Sequence, residues 1–184
     1  MPSSDQGKPR KRKGASPKLF LTRFEEVGGT PLRPNKRRPL GSLIKTVVEE
    51  LKISTAAIAQ AVPLKDEIES YLQEAGVKFE KDASQVDLGV TGVSAAVGKT
   101  GSLIFAWEDS NSDHLLTSLP PVHLAVVEKE RIFPSIEEAM EAVLARGKSY
   151  PYISVINGPS KTGDIELIHV NGVHGPQWVY AVVV

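Results

Sequence analysis

Short apolar segments alternate with amphipathic segments of helical period along most of this sequence. The helix-like segments repeat apolar residues three or four positions apart, and the clearest, Ser135 to Ala145, stops at Gly147. Predicted helices cover 19–27, 43–52, 66–75 and 135–145, and predicted strands include 56–62, 103–107, 124–127, 153–156 and 178–184. Strands that alternate with helices favour a mostly parallel sheet with helices on both faces. The sequence therefore predicts an α/β fold.

One domain is expected over 18–184, after a disordered basic tail over 1–17. Residues 1–40 hold eleven Lys and Arg against three acidic residues, whereas the remainder holds eleven against nineteen. Three interpretations of the basic excess stay open: a solvated tail, a nucleic-acid contact, and an arm that packs on the acidic body of a second copy in a homo-oligomer. The solvated tail is favoured over nucleic-acid binding, because the tail has no aromatic residue.

The chain has no cysteine. This absence excludes disulfides, a thiol nucleophile, a zinc site with cysteine ligands and an iron–sulfur cluster held by this chain alone. It fits a reducing cytoplasm. No apolar run reaches the length of a membrane helix, and the start of the sequence lacks the apolar core of a signal peptide, so no membrane contact is expected.

The stretch 158–176 concentrates groups that bind ligands. An apolar strand stops there at Asn157-Gly158-Pro159, and the hydroxyls of Ser160 and Thr162 follow, able to cap a short helix or contact an anion. Open α/β sheets usually place a ligand at such a strand end. A surface turn with ordinary caps is the competing interpretation.

A second glycine-rich turn, Gly98 to Ser102, lies between two apolar segments. Its glycines would let a ligand approach the backbone closely. The glycine spacing before Lys99 is not that of a Walker loop, and no helix follows. The alternatives are a weak phosphate cradle and a hairpin-like turn.

His123 begins a predicted strand, directly after a double proline that rigidly sets the strand's entry. A single histidine in this position is more often a structural group than a ligand or a base. Asp164 and Glu166 have a comparable alternative, since acidic residues in the first turn of a helix favour its dipole.

Four motifs in order resemble the lactate-utilization (LUD) domain family, and the resemblance covers roughly 19–184. They are Thr91-Gly92 with Thr100-Gly101-Ser102-Leu103, Ser118 to His123, Gly158 to Glu166, and Gly172 to Pro176. The resemblance implies a Rossmann-like three-layer α/β/α sandwich of the ribose-5-phosphate isomerase and CoA-transferase type. It also implies a cytoplasmic role with two iron–sulfur partner subunits in the oxidation of L-lactate to pyruvate.

Two positions depart from the family pattern. Gly163 stands where alanine is more usual, which should loosen the turn. Lys99 stands where an acidic residue is common, so no role of a carboxylate can be carried over to it. The electron-carrying clusters would have to belong to the partners, because this chain has no cysteine.

The resulting site hypothesis is a pocket for a small carboxylate or phosphorylated ligand at the switch point of the sheet. His174 or His123 would be the general base, and Asp164 or Glu166 would orient a histidine or bind a hydroxyl. Residues expected to contact the ligand are Thr100, Gly101, Ser102, Gly158, Ser160, Thr162 and Gly175; no metal ligand is predicted. Two other functions stay open: a non-catalytic assembly or regulatory subunit, and a stand-alone enzyme acting on a phosphorylated sugar or an acyl-CoA.

Overall fold

A computed structural model describes residues 15–108, 112–163, 169–171 and 175–184, with the backbone alone described at 161–163 and 169–171. Four α-helices are present in these ranges: α1 Pro17–Glu26, α2 Leu40–Leu51, α3 Lys65–Glu74 and α4 Ile136–Leu144. The strands are β1 Thr30–Leu32, β2 Thr55–Ile58, β3 Lys78–Phe79, β4 Leu88–Gly92, β5 Ala95–Val97, β6 Leu103–Trp107, β7 Val122–Val127, β8 Ile132–Phe133, β9 Tyr152–Ile156, β10 Lys161–Gly163, β11 His169–Asn171 and β12 Trp178–Val183.

Six strands form an all-parallel sheet in the order β1-β12-β7-β4-β2-β3. Every residue of β7 is buried, which is typical of a central strand covered on both faces. Leu124 and Val126 of β7 pack into a core with α2 and α3, whereas Ala125 and Val127 pack into a second core on the opposite face. The predicted α/β fold with a mostly parallel sheet is therefore correct.

The second face of this sheet carries a four-stranded mixed sheet, in the order β8-β5-β6-β9, together with α1. Phe20 and Phe24 of α1 share a core with Leu103 and Phe105 of β6. On the outer side of the small sheet, Ala139 and Val143 of α4 pack against β5 and β6. Helices therefore lie on both faces, as predicted, but a second β layer that was not predicted separates α4 from the parallel sheet.

Helix bounds agree with the apolar periodicity, but one predicted cap does not. Ser135 caps α4 by accepting a hydrogen bond from the Glu138 amide at 3.4 Å, as its position predicts. Ser42, predicted to cap the second helix, lies inside α2, whose N-cap is Pro39. None of the described helices is long and apolar enough to cross a membrane.

The turn Gly98–Ser102 joins two antiparallel strands, β5 and β6, so its hairpin interpretation is confirmed. Gly101 has a φ of +70° and lies against the backbone of α1. A Cβ atom at this position would lie 2.4 Å from the Phe24 nitrogen. Glycine is therefore required both for the backbone conformation and for the close approach of the helix.

We expect Gly101→Ala to lower the free energy of unfolding by about 2–5 kcal/mol, the combined cost of a left-handed alanine and of overpacking against α1. The matched control is Gly147→Ala, because Gly147 has a φ of +67° but no neighbouring atom within 4 Å of the added Cβ. The control should lose only about 1–2 kcal/mol. Urea unfolding measures both, and equal losses would contradict the packing argument.

Candidate functional site

The stretch 158–176 leaves the small sheet at the end of β9 and returns to the parallel sheet at β12. After Ser160 the chain forms a hairpin, in which β10 and β11 pair antiparallel with Thr162 opposite Val170. The interpretation of Ser160 and Thr162 as caps of a short helix was therefore wrong. Three predicted site residues, Asp164, Glu166 and His174, lie outside the described residues.

The parts of this stretch next to Ser160 and Pro176 lie at the amino ends of the parallel strands β7 and β12. The Ser160 amide donates to the Pro176 carbonyl at 3.0 Å, and the Gln177 amide donates to the Pro121 carbonyl at 2.8 Å, just before β12 and β7 begin. Open α/β sheets usually bind ligands at the opposite, carboxyl edge, whereas β9, which leads into this stretch, belongs to the small sheet and runs antiparallel to β6. A strand that ends in a polar turn does not by itself identify the edge of the sheet.

A cavity of about 570 Å³ opens along β9 and the turn that follows it. Three predicted ligand-contacting residues line this edge cavity: Gly158, Ser160 and Gly175. Its aromatic wall consists of Trp107 and of two stacked rings, those of His114 and Tyr152, whose centroids are 4.7 Å apart. A concave site with an apolar wall and a few polar groups is the usual form of a small-molecule site.

The two glycine-rich turns meet behind this edge cavity. The Thr100 and Ser102 hydroxyls are 2.7 Å apart, and Ser102 donates to the Asn157 side-chain oxygen at 3.3 Å. Gly158 has a φ of +85°, and a Cβ there would lie 2.4 Å from the Val27 carbonyl oxygen. The structure thus joins the Thr100–Ser102 turn to the Asn157–Gly158 turn and packs both against the end of α1.

His123 is separate from these turns. It is fully buried on β7, with Nε2 2.8 Å from the Thr91 hydroxyl and its ring tilted against Phe105 at 5.5 Å. Nδ1 is buried and makes no hydrogen bond to any described residue. Burial lowers the pKa of His123 to about 3, so the ring is neutral near pH 7. This environment favours the structural interpretation of His123.

A second cavity, of about 490 Å³, lies where the carboxyl ends of β2 and β4 meet. Three basic residues line it, namely Arg131, Arg146 and Lys148, and none of them was a predicted site residue. One sequence feature could have indicated them: they are basic residues on either side of α4, in the part of the chain where acidic residues are in excess. Within the described ranges, no group of three or more acidic or histidine side chains could hold a metal ion.

The model of the LUD domain matches residues 18–184. The chain belongs to the LUD-domain family. Among curated relatives, lactate utilization protein C of Deinococcus radiodurans is 32% identical over 103 residues, which are 56% of this chain and 49% of that protein. Lactate utilization protein B of Geobacillus kaustophilus is 32% identical over 112 residues, 58% of this chain and 22% of that protein.

The matched part of this LUD domain therefore spans about half the length of the first relative and about a fifth of the second. A solved structure, that of a DUF162 family protein from Deinococcus radiodurans, aligns with a TM-score of 0.61 and 17% identity. The alignment covers 90% of this chain and 94% of that one. The likeness at this identity shows the same fold.

The buried His123 predicts how the stability of this LUD domain depends on pH. The unfolded histidine binds a proton below about pH 6.5, whereas the folded one stays neutral down to about pH 3. Its stabilising contribution is therefore fully present above the unfolded pKa and is lost as the pH falls through this window. Between about pH 7.5 and pH 5 the loss is about 2 kcal/mol.

Urea unfolding at the two pH values measures this loss, with His123→Gln as the non-titrating reference. The wild type should lose about 2 kcal/mol more than the variant. An identical pH dependence in both proteins would mean that the folded ring is protonated within this range.

Proposed function

We propose that this LUD domain is the cysteine-free subunit of a cytoplasmic complex that oxidises L-lactate to pyruvate. The proposal is supported by the family match over 18–184 and by relatives named lactate utilization proteins C and B. Oxidation of lactate releases two electrons and two protons. Because this chain has no cysteine, the electrons would pass to iron–sulfur clusters in partner subunits.

The single structural observation behind this proposal is the edge cavity, lined by Gly158, Ser160 and Gly175 beside an exposed strand. The Ser160 hydroxyl would bind the carboxylate of a small hydroxy acid there, and Thr162 follows in the same stretch. His174 would take the hydroxyl proton as general base, and Asp164 or Glu166 would orient it. Thr100, Gly101 and Ser102 would support the turn from behind, through the contact of Ser102 with Asn157.

The parallel sheet also supports a fold-level proposal: kinship with the ribose-5-phosphate isomerase and CoA-transferase type of Rossmann-like sandwich. Its six parallel strands, with α2 and α3 on one face, agree with that type. The four-stranded sheet on the other face would then be an addition to it.

A thermal-shift titration tests the ligand part of the proposal. We expect L-lactate or pyruvate to raise the melting temperature of the purified chain, because a ligand that binds only the folded state stabilises it. Ser160→Ala should abolish the shift, whereas Ser42→Ala, an exposed serine on α2, should keep it. A shift that survives in Ser160→Ala would remove this residue from the site.

A second candidate function, assembly without catalysis, is favoured by the exposed side of β9. This strand is an edge of the small sheet, where its pairing partner among the described strands is β6. Ile153 and Val155 are 40% and 47% exposed there, and no charged residue interrupts the strand. Soluble proteins usually protect such an edge with charges or cover it with another element. We propose that an iron–sulfur partner subunit covers this edge.

Replacing Val155 by lysine should weaken this assembly at least tenfold, since a charge would be buried in the contact. Leu144→Lys is the matched control: Leu144 is 55% exposed, but on α4. Co-purification of the tagged chain with its iron–sulfur partners measures the complex. If both variants retain the partners equally, β9 is not the contact.

Measuring both assembly and lactate oxidation in the same preparation distinguishes the two candidate functions. A catalytic subunit with Ser160→Ala should still assemble but lose lactate oxidation, whereas an assembly subunit should keep both. Val155→Lys should remove the activity in either case, because the partners would no longer be held.

A further inference from the structure

The cavity at the carboxyl ends of β2 and β4 lies where parallel α/β sheets usually bind ligands. It is separate from the Ser160 turn, although Trp107 borders both cavities. Its volume of about 490 Å³ is within the range of small-molecule sites. We call it the basic cavity, after Arg131, Arg146 and Lys148 in its lining.

The two arginines reach the basic cavity from distant parts of the chain and are fixed at adjacent points. Arg131 follows β7 and donates to the Val93 carbonyl at 3.1 Å. Arg146 follows α4 and donates to the Ser94 carbonyl at 2.7 Å. Both arginines therefore line the same cavity, each fixed by a hydrogen bond to the backbone just after β4.

Both arginines retain donors beyond these contacts. A guanidinium has five N–H groups in a planar fork that matches the oxygens of a carboxylate or a phosphate. Arg131 also forms an ion pair with Glu128, while Arg146 uses one of its N–H groups for the Ser94 carbonyl. Positioned guanidinium groups with unused donors are suited to an oxyanion.

Three cations and two carboxylates line the basic cavity, and Glu128, outside the lining, pairs with Arg131. Lys148 is the third cation, and its ammonium lies 2.6 Å from the Glu108 carboxylate at the exposed rim. Asp113 is the second carboxylate of the lining and accepts a hydrogen bond from the Gln60 amide at 2.8 Å. Phe105 and Trp107 form an apolar wall beside these groups.

We propose that the basic cavity binds the oxyanion group of a small metabolite, a carboxylate or a phosphate monoester, between Arg131, Arg146 and Lys148. The rest of the ligand would lie along Trp107. This site is additional to the lactate site proposed at Ser160, and neither depends on the other. The competing explanation is that the arginines only satisfy the two carbonyls at the exit of β4.

Tryptophan fluorescence tests the proposal on the full chain. The chain has two tryptophans, and Trp178→Phe leaves Trp107 as the reporter. The titrants are sodium L-lactate, sodium phosphate and glucose 6-phosphate, with sodium chloride at matched ionic strength as the blank. We expect a saturable change with at least one titrant beyond the blank. Binding of lactate would identify a carboxylate ligand, and binding of either phosphate compound would identify a phosphate ligand. If none of the three titrants changes the fluorescence more than sodium chloride does, the proposal is overturned.

Substitutions then assign the binding to this cavity. Arg146→Gln and Lys148→Gln should each weaken the binding about tenfold, since each removes a charged donor. Arg23→Gln is the matched control, because Arg23 pairs with Glu26 on the exposed side of α1. Ser42→Ala, at an exposed serine on α2, should also leave this binding unchanged.

Lys148→Gln keeps the test decisive if Arg146→Gln fails to fold. The Lys148 ammonium contacts the exposed carboxylate of Glu108, whereas the Arg146 guanidinium contacts the backbone. Unchanged affinity in Lys148→Gln, or equal weakening in Arg23→Gln, would overturn the proposal. Loss of the signal in Ser160→Ala would instead assign it to the edge cavity and overturn the basic cavity as its source.

Discussion

The burial of β7 on both faces is the constraint on which the rest of the structure depends. Its neighbours β4 and β12 pair with it in parallel, and its side chains alternate between two cores. One core is closed by helices, but the other also needs a second sheet. The segments that connect β4 to β7 and β7 to β12 form this second sheet. The elements that line both cavities therefore belong to the layer that covers β7.

Local patterns predicted the four helices and strands such as β6 and β7, because the causes of these elements are local. The apolar run of β7 and the capped, amphipathic α4 need only neighbouring residues to be recognised. The direction of β9 cannot be recognised from neighbouring residues, because it depends on pairing with β6, almost fifty residues away. The same limit applies to the sites. Ser160 and Gly175 are close in sequence, whereas Arg131 and Arg146 donate to the carbonyls of Val93 and Ser94, which are far from both in the sequence.

Glycine turns show why a motif and its structural cause should be considered together. The sequence predicts ligand contacts at both Gly101 and Gly158. In the structure each glycine instead lies against α1 or the residue that ends it. The end of α1 thus packs against two turns, and a hydrogen bond from Ser102 to Asn157 connects these turns. A ligand at Ser160 would then bind to a turn that packing has already shaped, which reduces the entropy lost on binding.

The two cavities lie at opposite ends of the parallel strands and differ in what surrounds them. The edge cavity is bordered by the exposed apolar strand β9, so a partner that covers this strand would also close the cavity and exclude water. The basic cavity opens at the other end of the parallel strands and is bordered by charged side chains that favour contact with water. Trp107 borders both cavities. A ligand that contacts it in the basic cavity would therefore contact a side chain that also lines the edge cavity. A coupling of the two cavities through Trp107 would require two positions of its ring, because a coupling needs an element that differs between states.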